Sequence, residues 1–149
     1  MGLAYAKMNL FDAPRGSVLI HACNCRGVWG SGVAREMKKR FLSAYHAYQS
    51  ACLQAGNLGN AFLWDDNEYR IGCLMTSDGY GVDVDDPDHI VAATDASLWK
   101  LFPLLGHSTE VFSPKFNSGL FRVPWERTEE ILKFHLTQNP KINWTICEL

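Results

Sequence analysis

The sequence has no apolar run near the roughly 20 residues that a helix needs to cross a bilayer, and its N-terminus shows no signal-peptide pattern. It has only five cysteines, at irregular spacing, which favours reduced thiols in a cytosol over a disulfide framework. Neither charge dominates, with 14 Lys and Arg against 16 Asp and Glu. We therefore expect a cytoplasmic protein with no nucleic-acid or membrane partner.

Internal repeats and low-complexity segments are also absent, which excludes solenoids and disordered linkers. The 149 residues suffice for one domain with a real core and are too few for two ordinary ones. Because 47% of the residues are hydrophobic and 20% are charged, the composition is that of a globular protein. We expect a single domain over residues 1–149, acting as a monomer.

A strand, a glycine-rich turn and a helix are predicted in succession near the N-terminus. The apolar run Val18–Ala22 suits a strand buried on both faces, and Val33, Met37 and Phe41 recur at helical spacing. The turn Gly27–Gly32 lies between them. Unpaired amides at the helix start attract anions, and glycine lets a phosphate approach the backbone, so this arrangement suits a phosphate.

Two common phosphate loops are excluded by spacing. A dinucleotide fingerprint would need a third glycine where the chain has Arg35, and a nucleoside-triphosphate loop would need Lys-Ser or Lys-Thr where it has Val33-Ala34. Ser31 is predicted to cap the helix through its side chain.

The rest of the chain alternates strands with helices, which predicts an α/β sandwich with a largely parallel or mixed sheet. Further strands are predicted at Leu3–Lys7, Leu58–Trp64, Tyr69–Thr76, Thr109–Phe112 and Ile142–Cys147, the second and third of these forming a hairpin or close neighbours. Helices are predicted over Ser43–Ala55 with Gly56 as C-cap, over about Pro87–Phe102 with Pro103 stopping it, and from Pro124 onward.

A second polar turn, Asn117–Gly119, follows a strand and precedes a helix, as Gly27–Gly32 does. Ligands of such sheets bind outside the carboxyl ends of the strands. Both turns should therefore lie at one edge of the sheet, where their amides can clamp a diphosphate between them.

With both turns placed, the sequence resembles the macrodomain family, whose members bind ADP-ribose. Four motifs match in the family's order: Lys7–Leu10, Ile20–Asn24, Gly30–Ala34 and Pro114–Pro124. The resemblance implies a three-layer α/β/α fold with a mixed, largely parallel sheet. It also implies that Asn9 takes the adenine amino group and that Asn24 and Phe121 hold the distal ribose. The ligand-binding positions that it implies are Met8, Asn9, Ala22, Cys23, Asn24, Trp29, Gly30, Ser31, Gly32, Val33, Ala34, Lys115, Asn117, Ser118, Gly119, Leu120 and Phe121.

The motifs around Asn24 and Phe121 are similar to one branch of that family, the ADP-ribose 1''-phosphate phosphatases. This implies removal of the terminal phosphate from a by-product of tRNA splicing. A neighbouring branch removes ADP-ribose from proteins with a lysine and an aspartate. Here Phe121 stands at the aspartate position, and 77–88 contains no lysine. Two alternatives remain. One is a non-catalytic reader or scavenger of ADP-ribose, and the other is an ADP-ribosyl hydrolase acting on proteins or nucleic acid, which the missing lysine and aspartate disfavour.

His21 is the candidate proton-transfer residue, because it ends a buried strand just before the first loop and imidazoles titrate near neutral pH. The alternative is a hydrogen-bonded core histidine. Asn24 is expected to orient the ribose or a water molecule; the alternative is that it only stabilises the turn. Trp29 either covers the ligand or fills the core. Arg122 stands where the family usually has glycine.

No metal and no cofactor are expected. The histidines lack ligand spacing, and the aspartates of 83–88 lack the glycine and glutamate of a calcium loop. Cys23 and Cys25 lack the arginine of a thiol phosphatase, which would stand at Trp29 or Ser31.

Overall fold

A computed structural model describes residues 2–149. Its strands are β1 (Gly2–Lys7), β2 (Val18–Asn24), β3 (Ala61–Asp66), β4 (Tyr69–Ser77), β5 (Glu110–Ser113) and β6 (Asn143–Glu148). Its α-helices are α1 (Gly32–Arg40), α2 (Leu42–Cys52), α3 (Pro87–Leu105) and α4 (Trp125–Gln138), with short 3-10 helices at Leu10–Asp12 and Gly81–Asp83. Within these residues, no helix is both long and apolar enough to span a membrane.

One mixed sheet holds the strands in the order β1-β6-β5-β2-β4-β3. Every neighbouring pair is parallel except β3 and β4, which form an antiparallel hairpin at one edge. The predicted sheet and hairpin are confirmed. Because β5, β2 and β4 are adjacent and parallel, the loops that follow them emerge side by side at one edge of the sheet.

The two faces of the sheet bury separate apolar clusters, which gives the predicted three layers. Side chains alternate along β2, so Leu19 faces α1 and α2 whereas Val18 and Ile20 face α3 and α4. Met37 and Tyr48 are fully buried in the first cluster, and Leu98 and Leu132 are fully buried in the second.

Helix α3 does not stop at Pro103, as the sequence predicted, but continues to Leu105. A proline in a helix removes one backbone hydrogen bond at a cost of about 3 kcal/mol. Pro103 lies on the exposed side, however, while Leu101 and Leu105 are both buried against the sheet. The buried leucines hold the last turn in place.

One predicted cap is wrong, and another is confirmed in its position only. Helix α2 ends at Cys52, well before Gly56, because the Asn57 side-chain amide donates to the carbonyls of Ala51 at 2.6 Å and Gln54 at 3.1 Å. Ser31 occupies the N-cap position of α1, yet its hydroxyl makes no capping hydrogen bond. The backbone amides at the start of α1 are therefore not satisfied by that side chain.

Candidate functional site

A cleft of about 510 Å³ opens at the carboxyl ends of β5, β2 and β4. Both predicted turns line it, which confirms that they lie at one edge of the sheet. No aspartate or glutamate is among its lining residues, whereas Lys115 and Arg122 are. The cleft therefore suits an anion. It is lined by His21, Ala22, Cys23, Asn24, Val28, Trp29, Gly30, Ser31, Gly32, Val33, Ala34, Tyr80, Gly81, Pro114, Lys115, Phe116, Asn117, Gly119, Leu120, Phe121 and Arg122.

Asn24 shapes the first loop from the end of β2. Its side-chain oxygen accepts from the amide of Arg26 at 2.9 Å and from the hydroxyl of Tyr48 at 3.0 Å. Its side-chain nitrogen donates to the carbonyl of Val28 at 2.7 Å. These contacts give Asn24 the turn role that the sequence left open. Because the residue also lines the cleft, the predicted contact with ribose stays a prediction.

The first loop leads directly into the N-terminus of α1. Gly32 is the first helical residue and has φ of +57°, a left-handed conformation that glycine adopts without steric cost. No acidic residue lies in the first turn to neutralise the helix dipole. With the Ser31 hydroxyl not bonded to the helix, the first turn presents its amides to the cleft side.

The second loop is fixed by Asn117, a buried residue with φ of +69°. Its side-chain oxygen accepts from Thr76 at 2.8 Å, and its side-chain nitrogen donates to Thr94 at 2.9 Å. These bonds tie the loop to β4 and α3. Asn117 therefore holds the loop in shape, and its side chain has little capacity left for a ligand.

His21 lies on the α1/α2 side of the sheet, 2% exposed, at the floor of the cleft. Trp29 packs edge-on against it with ring centroids 4.6 Å apart. Trp29 is itself only 1% exposed and stacks on Tyr48, so it fills the core as well as lining the cleft. Its indole nitrogen is buried and has no hydrogen-bond partner among the described residues.

The thiols of Cys23 and Cys25 are poor nucleophiles. Burial raises the pKa of Cys23 well above its ordinary value, and burial followed by the nearby Asp78 charge raises the pKa of Cys25 to about 12. Both thiols are therefore protonated at neutral pH. This agrees with the sequence, which lacks the spacing of a thiol phosphatase.

The structure brings His21, Cys23 and Cys73 together, which sequence spacing did not reveal. Their ligand atoms all lie within 4.8 Å of one another, and all three residues are buried. Cys73 lies on the strand next to β2, in register with His21. Only the pairing of β2 with β4 reveals this cluster, because the spacing of the three residues along the chain does not.

Arg122 is exposed at the rim of the cleft and has φ of +62°. That left-handed conformation disfavours any residue with a Cβ, which agrees with the glycine that the family usually has there. Arg122 forms no salt bridge among the described residues. Lys115, by contrast, is paired with Glu148 at 3.1 Å.

Tyr80 and Gly81 also line the cleft, and the sequence did not single them out. Their loop is held by Arg26, whose guanidinium lies 3.4 Å from Asp83 and 3.6 Å from Asp78. The acidic stretch after β4 therefore fastens a wall of the cleft. A pairing of positions 26 and 83 has no local sequence signal.

Three predicted ligand-binding residues, Met8, Asn9 and Ser118, do not line the cleft. The side-chain oxygen of Asn9 accepts from the amide of Phe11 at 2.9 Å and caps a 3-10 helix. Ser118 has a buried hydroxyl with no partner among the described residues. Their predicted roles remain predictions.

A second groove, of about 690 Å³, lies at the opposite edge of the sheet, where β2, β4 and β5 begin. Its walls include Arg15, Arg70 and His107. Arg70 is already engaged with the carbonyl of Leu105 at 3.0 Å and with Asp65 at 3.3 Å. Ligands of parallel sheets bind at the other edge. We therefore assign the site to the cleft between the two turns.

Comparisons with known proteins agree with this fold. The family model described as "Macro domain" matches residues 20–132. A protein of Meyerozyma guilliermondii named ADP-ribose 1''-phosphate phosphatase is 38% identical over 163 aligned positions, which cover 89% of this chain and 93% of that one. One of the same name from Aspergillus fumigatus is 31% identical over 84% of this chain and 86% of that one. The solved macrodomain of Mycobacterium tuberculosis DarG superposes with a TM-score of 0.85 at 24% identity, covering 100% and 99% of the two chains.

The fold is an α/β domain whose cleft, between two turns at the carboxyl edge of a mixed sheet, suits an anion. The chain belongs to the macrodomain family.

Proposed function

We propose that this macrodomain binds ADP-ribose and hydrolyses ADP-ribose 1''-phosphate to ADP-ribose and phosphate. The observation that carries the proposal is the cleft itself, in which two loops and a helix N-terminus surround a space lined by cations and no carboxylate. Such a site favours a diphosphate and a further phosphate group. Relatives named for this activity, at 31–38% identity over most of the chain, support the choice of substrate.

In this proposal the diphosphate lies between Gly30–Val33 and 117–120, and the distal ribose lies against Asn24 and Phe121. Adenine extends toward Asn9, and the terminal phosphate lies near His21. The lining of the cleft supports this pose except at Ser118 and at the adenine end.

The reaction that we propose needs only water as co-reactant. The water oxygen bonds to phosphorus, the bond between phosphorus and the ribose 1'' oxygen breaks, and that oxygen leaves with a proton. Among the described residues that line the cleft, His21 is the one histidine, and none is a carboxylate that could replace it in moving that proton. General acid–base catalysis of this kind contributes about 10² to 10⁴ in rate.

We further propose that the substrate is the by-product of tRNA splicing and that the protein acts in the cytoplasm as a monomer, without nucleic-acid or membrane partners. The free state of all five cysteines supports a reducing compartment. The net charge of −2 supports the expected lack of polyanionic partners.

The test pairs binding with turnover. ADP-ribose should raise the melting temperature, and phosphate should be released from ADP-ribose 1''-phosphate. His21→Gln should lower that release by about 100-fold or more, while calorimetry still detects ADP-ribose. His135→Gln is the matched control, because His135 is equally buried but lies on the other face of the sheet.

Each outcome separates the alternatives. If saturating ADP-ribose does not shift the melting temperature, the proposal that the protein binds ADP-ribose is refuted. Binding without phosphate release would make the protein a reader of ADP-ribose. Full turnover in His21→Gln would leave His21 as a core residue. Removal of ADP-ribose from proteins is disfavoured, because Phe121 lines the cleft where that chemistry needs a carboxylate.

A further inference from the structure

Three metal-ligand side chains converge beneath the cleft. His21 and Cys23 are two residues apart on β2 and therefore point to the same face of the sheet. Cys73 is the register partner of His21 on the neighbouring strand β4. Adjacent strands lie about 4.8 Å apart. This pairing brings the side chains within ligand reach of each other without any loop having to move.

Two of the distances suit a tetrahedral ion. A zinc ion holds sulfur at about 2.3 Å and nitrogen at about 2.0 to 2.1 Å, so tetrahedral angles place the two ligand atoms about 3.6 Å apart. The Nε2 atom of His21 lies 3.5 Å from the Sγ of Cys23 and 3.8 Å from the Sγ of Cys73. The Sγ of Cys23 also lies 3.8 Å from the Nδ1 atom, so it stands beside the imidazole ring rather than in front of Nε2. The imidazole therefore has to rotate to direct Nε2 at an ion held between the two sulfurs.

We propose that His21, Cys23 and Cys73 form a site for a thiophilic divalent cation such as Zn²⁺. Two thiolates and an imidazole are ligands that zinc prefers, and the hard cations Mg²⁺ and Ca²⁺ are disfavoured because no oxygen ligand belongs to the set. Binding of the ion displaces the proton that the buried Cys23 thiol carries at neutral pH. His21 and Cys23 line the cleft, which supplies an entry path. The fourth position on the metal is left for water or a ligand oxygen.

The metal would act as an inhibitor of the proposed phosphatase. A nitrogen of His21 that is bound to zinc cannot accept or deliver a proton. This consequence rests on the proposed function, whereas metal binding itself rests only on the three side chains. The two statements are therefore tested by separate measurements.

Binding is tested by adding Co²⁺ or Zn²⁺ to the reduced, metal-free protein. We expect one Co²⁺ per chain, with the charge-transfer absorption of thiolate–cobalt bonds and displacement by Zn²⁺ in calorimetry. Cys73→Ser and Cys23→Ser should each weaken metal binding by about 100-fold or more. This is a larger loss than expected for a residue that only hydrogen-bonds to a metal ligand. Cys147→Ser is the matched control, because Cys147 is a buried strand cysteine outside the cluster.

Thermal melting and far-UV circular dichroism check that each variant is folded. The proposal is overturned when the folded wild-type chain gives no cobalt–thiolate band, or when the band persists unchanged in both folded cysteine variants. Either result would leave a pair of ordinary core thiols beside a histidine.

Inhibition is tested by phosphate release with and without one equivalent of Zn²⁺, each variant being compared with its own metal-free rate. Zinc should lower wild-type turnover by about 100-fold or more, and chelation should restore it. The same zinc addition should lower the turnover of Cys73→Ser far less. Unchanged turnover in zinc-loaded wild type would refute inhibition while leaving metal binding intact. Absence of turnover in the metal-free chain would instead refute the proposed function.

Discussion

Trp29 packs edge-on against His21, with ring centroids 4.6 Å apart and planes inclined at 73°. It also stacks on Tyr48 at 4.9 Å. A proton-transfer group must be held in one geometry to be effective. The buried indole restricts the imidazole from one side, so the core packing beneath the cleft fixes the orientation of the candidate catalytic group.

Trp29→Ala should destabilise the fold by about 3–5 kcal/mol, because it removes a large side chain from a close-packed core. Trp29→Phe should cost less, since it keeps an aromatic contact. Urea unfolding measures both. Trp99→Ala is the control, because Trp99 is 56% exposed and its loss should cost much less. Similar losses at the two positions would mean that Trp29 is not a core residue.

Gly32→Glu should abolish ADP-ribose binding, because it places a carboxylate and a side chain at the start of α1, where the diphosphate is proposed to lie. Calorimetric titration measures the loss. Gly106→Glu provides a matched control, since Gly106 has nearly the same φ, +59° against +57°, and equally open surroundings, at the opposite edge of the sheet. Unaltered affinity in Gly32→Glu would show that the loop is not at the diphosphate.

Asn117→Ala should destabilise the fold by about 1–3 kcal/mol, because the buried hydroxyl of Thr76 loses its acceptor. It should also weaken ADP-ribose binding, since the second loop loses its ties to β4 and α3. Chemical unfolding and calorimetry measure the two effects. Asn139→Ala removes one side-chain bond at the end of α4 and should leave ADP-ribose affinity intact. Full ligand affinity in Asn117→Ala would show that the loop keeps its shape unaided.

Arg122→Gly should weaken binding of ADP-ribose 1''-phosphate by about tenfold or more and that of ADP-ribose by less, because a charged hydrogen bond contributes about 1.5–3 kcal/mol. Arg122 follows Phe121, which is proposed to lie on the distal ribose, so we expect its guanidinium to reach the additional phosphate. Glycine also fits the left-handed backbone there without strain. The measurement is made with a non-hydrolysed analogue or a turnover-deficient variant.

Arg15→Gln is the control for Arg122→Gly, since Arg15 is exposed and lies at the opposite edge of the sheet. Its loss should not change either affinity. Arg122 should favour ADP-ribose 1''-phosphate over ADP-ribose, and this difference in affinity should become smaller at higher salt concentration, because the Arg122 charge is solvent-exposed. An equal effect of Arg122→Gly on the two ligands would assign the arginine to the diphosphate rather than to the terminal phosphate.

Much of the fold and of the cleft follows from the order of residues along the chain. A strand is predicted from the apolar run that begins at Val18, and a helix from the four-residue spacing of Met37 and Phe41. The glycines between the strand and the helix predict a turn. All three elements are present. Parallel strands then require the turns after β2 and β5 to meet at one edge. These features depend on neighbours in sequence and on chain direction, so local patterns suffice to predict them.

The remaining features depend on contacts between distant residues. Buried Leu101 and Leu105 carry α3 through Pro103, because packing against the sheet outweighs local propensity. The end of α2 ahead of Gly56 is a local feature that the sequence pattern missed, since Asn57 bonds to a carbonyl only six residues away. Cys73 joins His21 only through strand register. The sequence by itself determined the order of the strands and helices and which turns line the cleft. The tertiary structure decided which side chains meet there, since burial and pairing across the sheet have no counterpart in local spacing.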